Sequence, residues 1–281
     1  MRAQVVLTPP ESKKLIAKAV ARLDVVRRAC KKGIILVGSS TTCAFILEEL
    51  TGTKITRGYG CGIVVPRGTC IMREMLESIR TRGYARVWIL EKGVLHEDLP
   101  LDDVLKRMGA DDVFIKGANA LDPYGNAGIF LGSPIGGTVG RVLGTAMAKG
   151  INMIIAVGLE KMIPTPIAKA AAEAGIKRMD YSMGMPVGLL PLNGTVVNEV
   201  KALQILTGVE AIPIGAGGLS GAEGAVILVI KGSNKQVANS LEIVSFIKGA
   251  REPPTETPEC VDCKYPGCSL GAKVAPKIRR R

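Results

Sequence analysis

The sequence predicts an α/β fold: a doubly wound, mostly parallel, Rossmann-like sheet followed by a C-terminal α+β subdomain. Three observations carry this. Short apolar runs, Ile34–Val37, Asp112–Ile115 and Met153–Val157, recur between amphipathic stretches of helical period. Those runs show no polar alternation, as strands covered on both faces require. Hydrophobic residues make up 47 % of the 281 but aromatics only 4 %, so the core must be built from Val, Ile, Leu, Met and Ala.

In chain order, apolar residues at Leu15, Ala19, Leu23 and Val26 predict one basic amphipathic helix over about Glu11–Lys31. The strand Ile34–Val37 ends at Gly38, and Ser39–Thr42 leads into a helix reaching Leu50. A turn at Arg57–Gly62 precedes Ile63–Val65, and Thr69–Thr81 reads as helical. Val87–Leu90 is a strand, Asp102–Met108 a helix and Asp112–Ile115 a strand stopping at Lys116–Asn119. A glycine-bearing loop, Asn119–Gly140, opens a helix to Lys149, and Met153–Val157 follows as a strand. Pro164 and Pro166 start a helix that ends near Gly175. From Asp180 the character changes: a Gly/Pro loop, a helix over Val196–Thr207, strands at Ala211–Ile214 and Ala225–Ile230, and a last helix over Lys235–Lys248. Pro253-Pro254 begins a linker. The expected units are an α/β ligand-binding domain at 1–180, an α+β subdomain at 181–252 and a basic, cysteine-containing tail at 253–281.

No run reaches the eighteen apolar residues of a membrane span, and no apolar signal core follows Met1-Arg2-Ala3-Gln4. A cytoplasmic location without membrane partners is therefore expected. The net charge of +12, part of it in Lys273, Lys277 and Arg279–Arg281, reads first as a solvated surface and next as suited to a small anionic metabolite. Nucleic acid is disfavoured, because no recognition module and few stacking aromatics are present.

Four segments could carry ligand chemistry. Gly38-Ser39-Ser40-Thr41-Thr42 joins a strand to a helix N-terminus, where free N–H groups and hydroxyls suit phosphate or carboxylate; capping of the helix is the alternative. Lys116-Gly117-Ala118-Asn119 and Asp122 leave the sheet at the edge where open α/β sheets bind ligands, or form an Asn/Asp-Pro turn. Gly136, Gly137 and Thr138 open a helix as an anion nest, with Arg141 placed to fork onto a phosphate; a flexible connection with glycines for close helix–sheet packing is the alternative. The Gly215–Gly224 loop holds one ionisable side chain, Glu223, a base or a turn cap. The sole histidine, His96, sits in a polar turn without a visible partner.

Seven cysteines are present. Cys30, Cys43, Cys61 and Cys70 lie among apolar or glycine neighbours, the setting of buried free thiols. Cys260-x-x-Cys263-x-x-x-x-Cys268 is different: two thiolates at that spacing can share one metal and the third follows a Gly267 turn. An Fe–S cluster or a zinc ion is expected there, with a disulfide and a spare thiol as the alternative. The fourth ligand is not visible in sequence. A homo-oligomer could supply it, since the tail after Pro253-Pro254 can reach a neighbouring subunit.

The order Ile34–Thr42, Phe114–Pro123, Met153–Lys161 resembles the superfamily of ribose-5-phosphate isomerase, glucosamine-phosphate deaminase and CoA transferase, and is similar to sugar-responsive repressor effector domains and translation-initiation-factor-like isomerases. The resemblance covers roughly residues 11–165. It implies that Gly38–Thr42 holds phosphate, that Gly117-Ala118-Asn119 lines the site, and that Lys161, after Glu160, helps bind the ligand. This chain departs from the pattern: Asn119 replaces an acid, Lys116 stands where the isomerases place another, and Gly140-Arg141-Val142 lacks the acid of the next helix start. Sugar-phosphate isomerisation needs a carboxylate base. The expectation is thus a divergent member binding a phosphorylated or other anionic metabolite, with Asp122, Glu160 and Glu223 as candidate carboxylates for proton or acyl transfer. The alternative is a non-catalytic metabolite sensor with a metal-binding cysteine tail.

Overall fold

The structure, a computed structural model, describes residues 1–56, 60–96, 99–263, 265 and 267–270. Part of the expected Arg57–Gly62 turn, Glu97 and Asp98 beside His96, Lys264 and the basic residues from Lys273 onward lie outside the described residues.

The chain runs β1 (Arg2–Leu7), α1 (Pro9–Arg22), α2 (Asp24–Lys32), β2 (Ile34–Gly38), α3 (Thr41–Thr51), β3 (Cys61–Val65), β4 (Gly68–Ile71), α4 (Arg73–Arg82), β5 (Val87–Glu91) and β6 (Val94–His96). It continues through α5 (Leu101–Arg107), β7 (Val113–Gly117), β8 (Ala120–Leu121), β9 (Ala127–Leu131), α6 (Gly137–Lys149), β10 (Asn152–Ala156), a 3-10 turn (Leu159–Lys161) and α7 (Ile167–Glu173). Last come β11 (Gly188–Leu192), β12 (Thr195–Val197), α8 (Glu199–Thr207), β13 (Glu210–Gly217), β14 (Ala225–Lys231), α9 (Asn234–Ile247) and α10 (Cys260–Cys263).

The architecture is α/β around a six-stranded mixed sheet ordered β12-β10-β7-β2-β5-β6. The pairs β12/β10, β10/β7 and β7/β2 are parallel, whereas β2/β5 and β5/β6 are antiparallel. The parallel strands are apolar runs buried along most of their length, with Ile35, Leu36, Val37, Val113, Phe114, Ile115, Ile155 and Ala156 all fully inaccessible. Burying a Val, Leu or Ile side chain stabilises by about 1.5–3 kcal/mol, so these strands anchor the core. Trp88 of β5 is 2 % exposed in the same cluster.

Four features differ from the sequence expectation. The first helix is two: Leu23 takes an extended conformation (ψ 132°) and Asp24 starts a new first turn. Residues 2–7, not assigned from sequence, form a strand antiparallel to β14, giving a three-stranded sheet β1-β14-β13. The stretch Thr69–Thr81 is helical only from Arg73, because Gly68–Ile71 pairs with β3 as a hairpin. That hairpin is clasped by the segment before β11: Thr69 N donates to Met183 O (3.1 Å) and Met185 N to Thr69 O (2.7 Å). A Cβ on Gly184 would stand 2.2 Å from Thr69 O and one on Gly68 2.0 Å from Met183 O, so the two backbones meet only as a glycine pair. Finally, the long loop after Asn119 contains β8 and β9, and β9 pairs with β11. Elements after residue 180 interleave with earlier ones: β11 joins β9, β12 the main sheet, and β13 and β14 join β1.

Candidate functional site

Strands β2, β7 and β10 run parallel, and the chain leaves their C-terminal ends through Ser39–Ser40, Lys116–Asn119 and Gly158–Lys161. A cleft of about 350 Å³ opens between this edge, the β3–β4 hairpin, α4, β9 and the start of α6. Ser39, Lys116, Gly136, Gly137, Thr138 and Arg80 line it, with Ile71, Leu76, Ile79, Phe130 and Val139 as apolar walls.

Lys116 is the central cation. Its side chain passes over Gly38, where a Cβ would lie 2.4 Å from Lys116 Cδ, and its Nζ donates to Ser39 O at 3.0 Å. Burial holds its pKa below the ordinary lysine value, while the nearby thiols of Cys43 and Cys61 pull it back up. No Asp or Glu lines the cleft among the described residues. The start of α6 adds positive potential: Gly136 (φ 74°) is its N-cap and provides no side-chain cap, so the first-turn N–H groups keep their donor capacity. Thr138 Oγ1 instead donates to Ala85 O (3.2 Å).

The expected hydroxyl turn divides. Ser39 lines the cleft, but Ser40 caps α3 by accepting from Cys43 N (3.0 Å), and Thr42 is buried. Thr41 is the first residue of α3. Gly117 is backed onto Ser40, a Cβ there falling 2.8 Å from Ser40 Oγ. Asn119 is not among the lining residues: its Nδ2 donates to Gly62 O (2.9 Å) and its Oδ1 accepts from Phe130 N (3.0 Å), tying the hairpin to β9. Arg141 pairs with Asp102 (3.2 Å) and lies over the ring of Tyr84, itself a lining residue.

None of the three candidate carboxylates is among the residues lining the cleft. Asp122 is buried and accepts from Tyr124 N, Asn126 N, Asn126 Nδ2 and Ile167 N at 2.9–3.0 Å. Burial raises its pKa, but those bonds outweigh it and hold the carboxylate below the ordinary range. Glu223 accepts from Gly221 N (2.9 Å) within the exposed β13–β14 connection. Glu160 belongs to a separate buried group. Its oxygens have no hydrogen-bond partner among the described residues, and Lys161 Nζ stands 4.0 Å away. Lys161 Nζ donates to Ala118 O (3.0 Å); burial lowers its pKa, with Glu160 opposing. Glu199, at the start of α8, accepts from Leu159 N at 2.9 Å, and burial together with Glu160 pushes it up to about 7.

The cysteine segment sits beside the cleft. Cys260, Cys263 and Cys268 line a second, apolar cavity of about 30 Å³, together with Cys70 of β4 and Arg67. Burial pushes the Cys70 thiol up, the Arg67 guanidinium lowers it, and Cys260 and Cys263 are near enough to raise it again. Among the described residues no three His, Cys, Asp or Glu side chains already converge on one point at metal-binding distance. Cys263 and Tyr265 also line the cleft, and Tyr265 Oη donates to Gly132 O (2.5 Å). Its phenol is pushed up to about 12 by burial first, then by Cys61 and Cys263. Cys61, opposite Ile71 in the hairpin register, lines the cleft, and burial pushes its thiol up to about 11 against the pull of Lys116.

Sequence reasoning missed Arg80, Cys61, Tyr84 and Tyr265 in the cleft and Arg67 and Cys70 in the second cavity. The available signal was the run of glycines 58, 60, 62 and 68 around Cys61 and Cys70, which marks a hairpin rather than a helix. No protein-family model matches the chain and no curated protein matches it in sequence.

Proposed function

We propose that the protein binds an amphipathic organic anion, a phosphorylated or carboxylated metabolite with an apolar body, in the cleft over Lys116. The observation that carries this is the charge of the lining: Lys116, Arg80 and the uncapped start of α6, with no carboxylate among the described lining residues. A desolvated ammonium without an acidic partner is a costly feature that an anionic ligand would relieve. The apolar walls give the rest of the ligand a surface to bury. The Rossmann-like, doubly wound reading and the kinship with sugar-phosphate isomerases and CoA transferases belong to the same proposal, supported by the parallel run β12-β10-β7-β2 and by a cleft at strand C-terminal ends. Within that kinship the chain reads as a ligand binder rather than a proton-transferring isomerase, since Asp122, Glu160 and Glu223 do not line the cleft.

Calorimetric titration with 2-naphthyl phosphate and with neutral 2-naphthol tests the reading. A charge-assisted contact of about 1.5–3 kcal/mol predicts roughly 10- to 150-fold tighter binding of the phosphate. Equal affinity for the two compounds, or binding of neither, would overturn it. Native mass spectrometry of the protein as purified then identifies the natural occupant.

A further inference from the structure

We infer that Cys70, Cys260, Cys263 and Cys268 form a four-thiolate metal centre that fastens the C-terminal segment onto the β3–β4 hairpin. The four cysteines come from two remote parts of the chain yet line one cavity. Three tail cysteines alone leave a tetrahedral ion one ligand short, and Cys70 supplies it from within the chain.

The framework that brings them together consists of other contacts. Arg73 N donates to Glu256 O (3.0 Å) and Arg67 Nη2 to Pro258 O (2.9 Å) and Thr257 Oγ1, holding the segment ahead of Cys260. Ser269 N donates to Ser182 O (3.1 Å), holding it after Cys268. Cys263 N donates to Glu259 O (2.9 Å) in the single turn of α10, which sets Cys260 and Cys263 on one side.

The chemistry suits soft ligands in a closed site. The other walls include Ile71, Met185, Pro258 and Leu270, and Arg67 is the one charged residue among the described lining residues. All four thiols are free. Four thiolates on a divalent ion carry a net charge of about −2, which the Arg67 guanidinium partly offsets. Binding releases the thiol protons to solvent, up to four per ion, and involves no electron transfer. The space of about 30 Å³ has room for at least one ion-sized body. Zinc and an iron–sulfur cluster share this thiolate chemistry. Cys61 faces the cleft rather than this cavity and is not a ligand. The centre is independent of what the cleft binds, although Cys263 lines both spaces.

The test uses the full chain, reduced and stripped of metal under anaerobic conditions. Titration with Co(II) counts sulfur ligands through the thiolate-to-cobalt and d–d bands; displacement by Zn(II) gives affinity; a parallel arm supplies sulfide with both Fe(II) and Fe(III), so that the ferric iron of a cluster is added rather than generated. One metal centre per chain with a four-sulfur spectrum is expected. Cys70→Ser and Cys263→Ser should each weaken zinc by more than about a hundredfold, beyond the effect of losing an outer-shell group. Cys61→Ser and Cys43→Ser should bind as wild type. Tight zinc assigns a single ion, and cluster assembly dependent on Cys70 assigns iron and sulfide; both uphold the four-thiolate site. Wild-type metal affinity in Cys70→Ser, or no binding by folded wild-type protein, would overturn it. Should Cys70→Ser not fold, Cys70→His must shift the cobalt spectrum to three sulfurs, and an unchanged spectrum rejects Cys70 as a ligand.

Discussion

Replacing Lys116 by methionine removes the ammonium while keeping most of the methylene stem. In the folded protein this amine donates to Ser39 O (3.0 Å), faces the Cys43 and Cys61 thiols, and has Lys161 as a further cation nearby. Burial depresses its pKa. Between that depressed value and the ordinary 10.5, the unfolded chain holds a proton that the folded chain has released. Wild-type stability therefore rises with pH across this window, by up to about 1.4 kcal/mol per unit. Below the window the wild type carries a desolvation cost that the Lys116→Met variant would not. Lys161 is depressed in both proteins and largely cancels in their difference. The single tryptophan, Trp88, is buried in β5 and reports unfolding directly. Urea melts of both proteins at pH 7.5 and pH 10 should show the wild type gaining on Lys116→Met at the higher pH. In calorimetry at pH 7.5 the variant should lose the preference for naphthyl phosphate over naphthol. A stability gap independent of pH would refute the desolvated ammonium, and an unchanged preference would refute its role in binding.

Two further outcomes follow from packing and charge elsewhere. Gly38→Ala places a Cβ 2.4 Å from Lys116 Cδ and 3.2 Å from its Cε; overpacking should cost about 1–3 kcal/mol in urea melts and weaken naphthyl phosphate, whereas Gly144→Ala, with open space around its Cβ, should do neither. Glu199→Gln removes a buried carboxylate pushed up to about 7 from 4.5 while keeping an acceptor for Leu159 N. The folded wild type holds a proton the unfolded chain has lost between those values, so its stability falls as pH rises from 4.5 to 7. The variant should gain on it by roughly 3 kcal/mol across that range, read from melts at pH 4.5 and pH 8.

The strands β2, β7 and β10 are legible because uninterrupted Ile/Val/Leu runs ending in Gly or a polar turn specify burial on both faces without reference to anything distant. Helices α3, α6 and α9 are legible for the corresponding reason, each carrying its own glycine, serine or hydroxyl start. What escapes is whatever a remote partner decides. Arg2–Leu7 carries an uninterrupted apolar run only at Val5-Val6-Leu7 and becomes a strand through β14. Gly68–Ile71 has helical neighbours and becomes a hairpin strand because Met183–Met185 clasps it. Lys116, Ser39, Gly136, Gly137 and Thr138 meet in the cleft because the C-terminal ends of β2 and β7 and the N-terminal start of α6 all face it. Asn119 and Ser40 occupy equally suggestive positions, but their side chains satisfy backbone groups instead, Ser40 within its own helix start and Asn119 across the hairpin and β9. Cys70 reads as one more apolar-flanked thiol until the chain's last described segment is laid against it.

The antiparallel pairing of β1 with β14 has a consequence for synthesis. Arg2–Leu7 leaves the ribosome well before its partner, since the residues it pairs with, Val226 to Lys231, are made more than two hundred peptide bonds later. At about 5–20 residues per second, roughly 11–45 s pass before its backbone N–H and C=O groups can be satisfied in their final register. Throughout that interval the nascent chain carries an unpaired segment whose Val5 and Leu7, buried in the folded protein, lack their final cover. Such a segment is a template for pairing with any other unsatisfied edge. The protein should therefore be most vulnerable to aggregation while still tethered to the ribosome, and least once β14 has been completed.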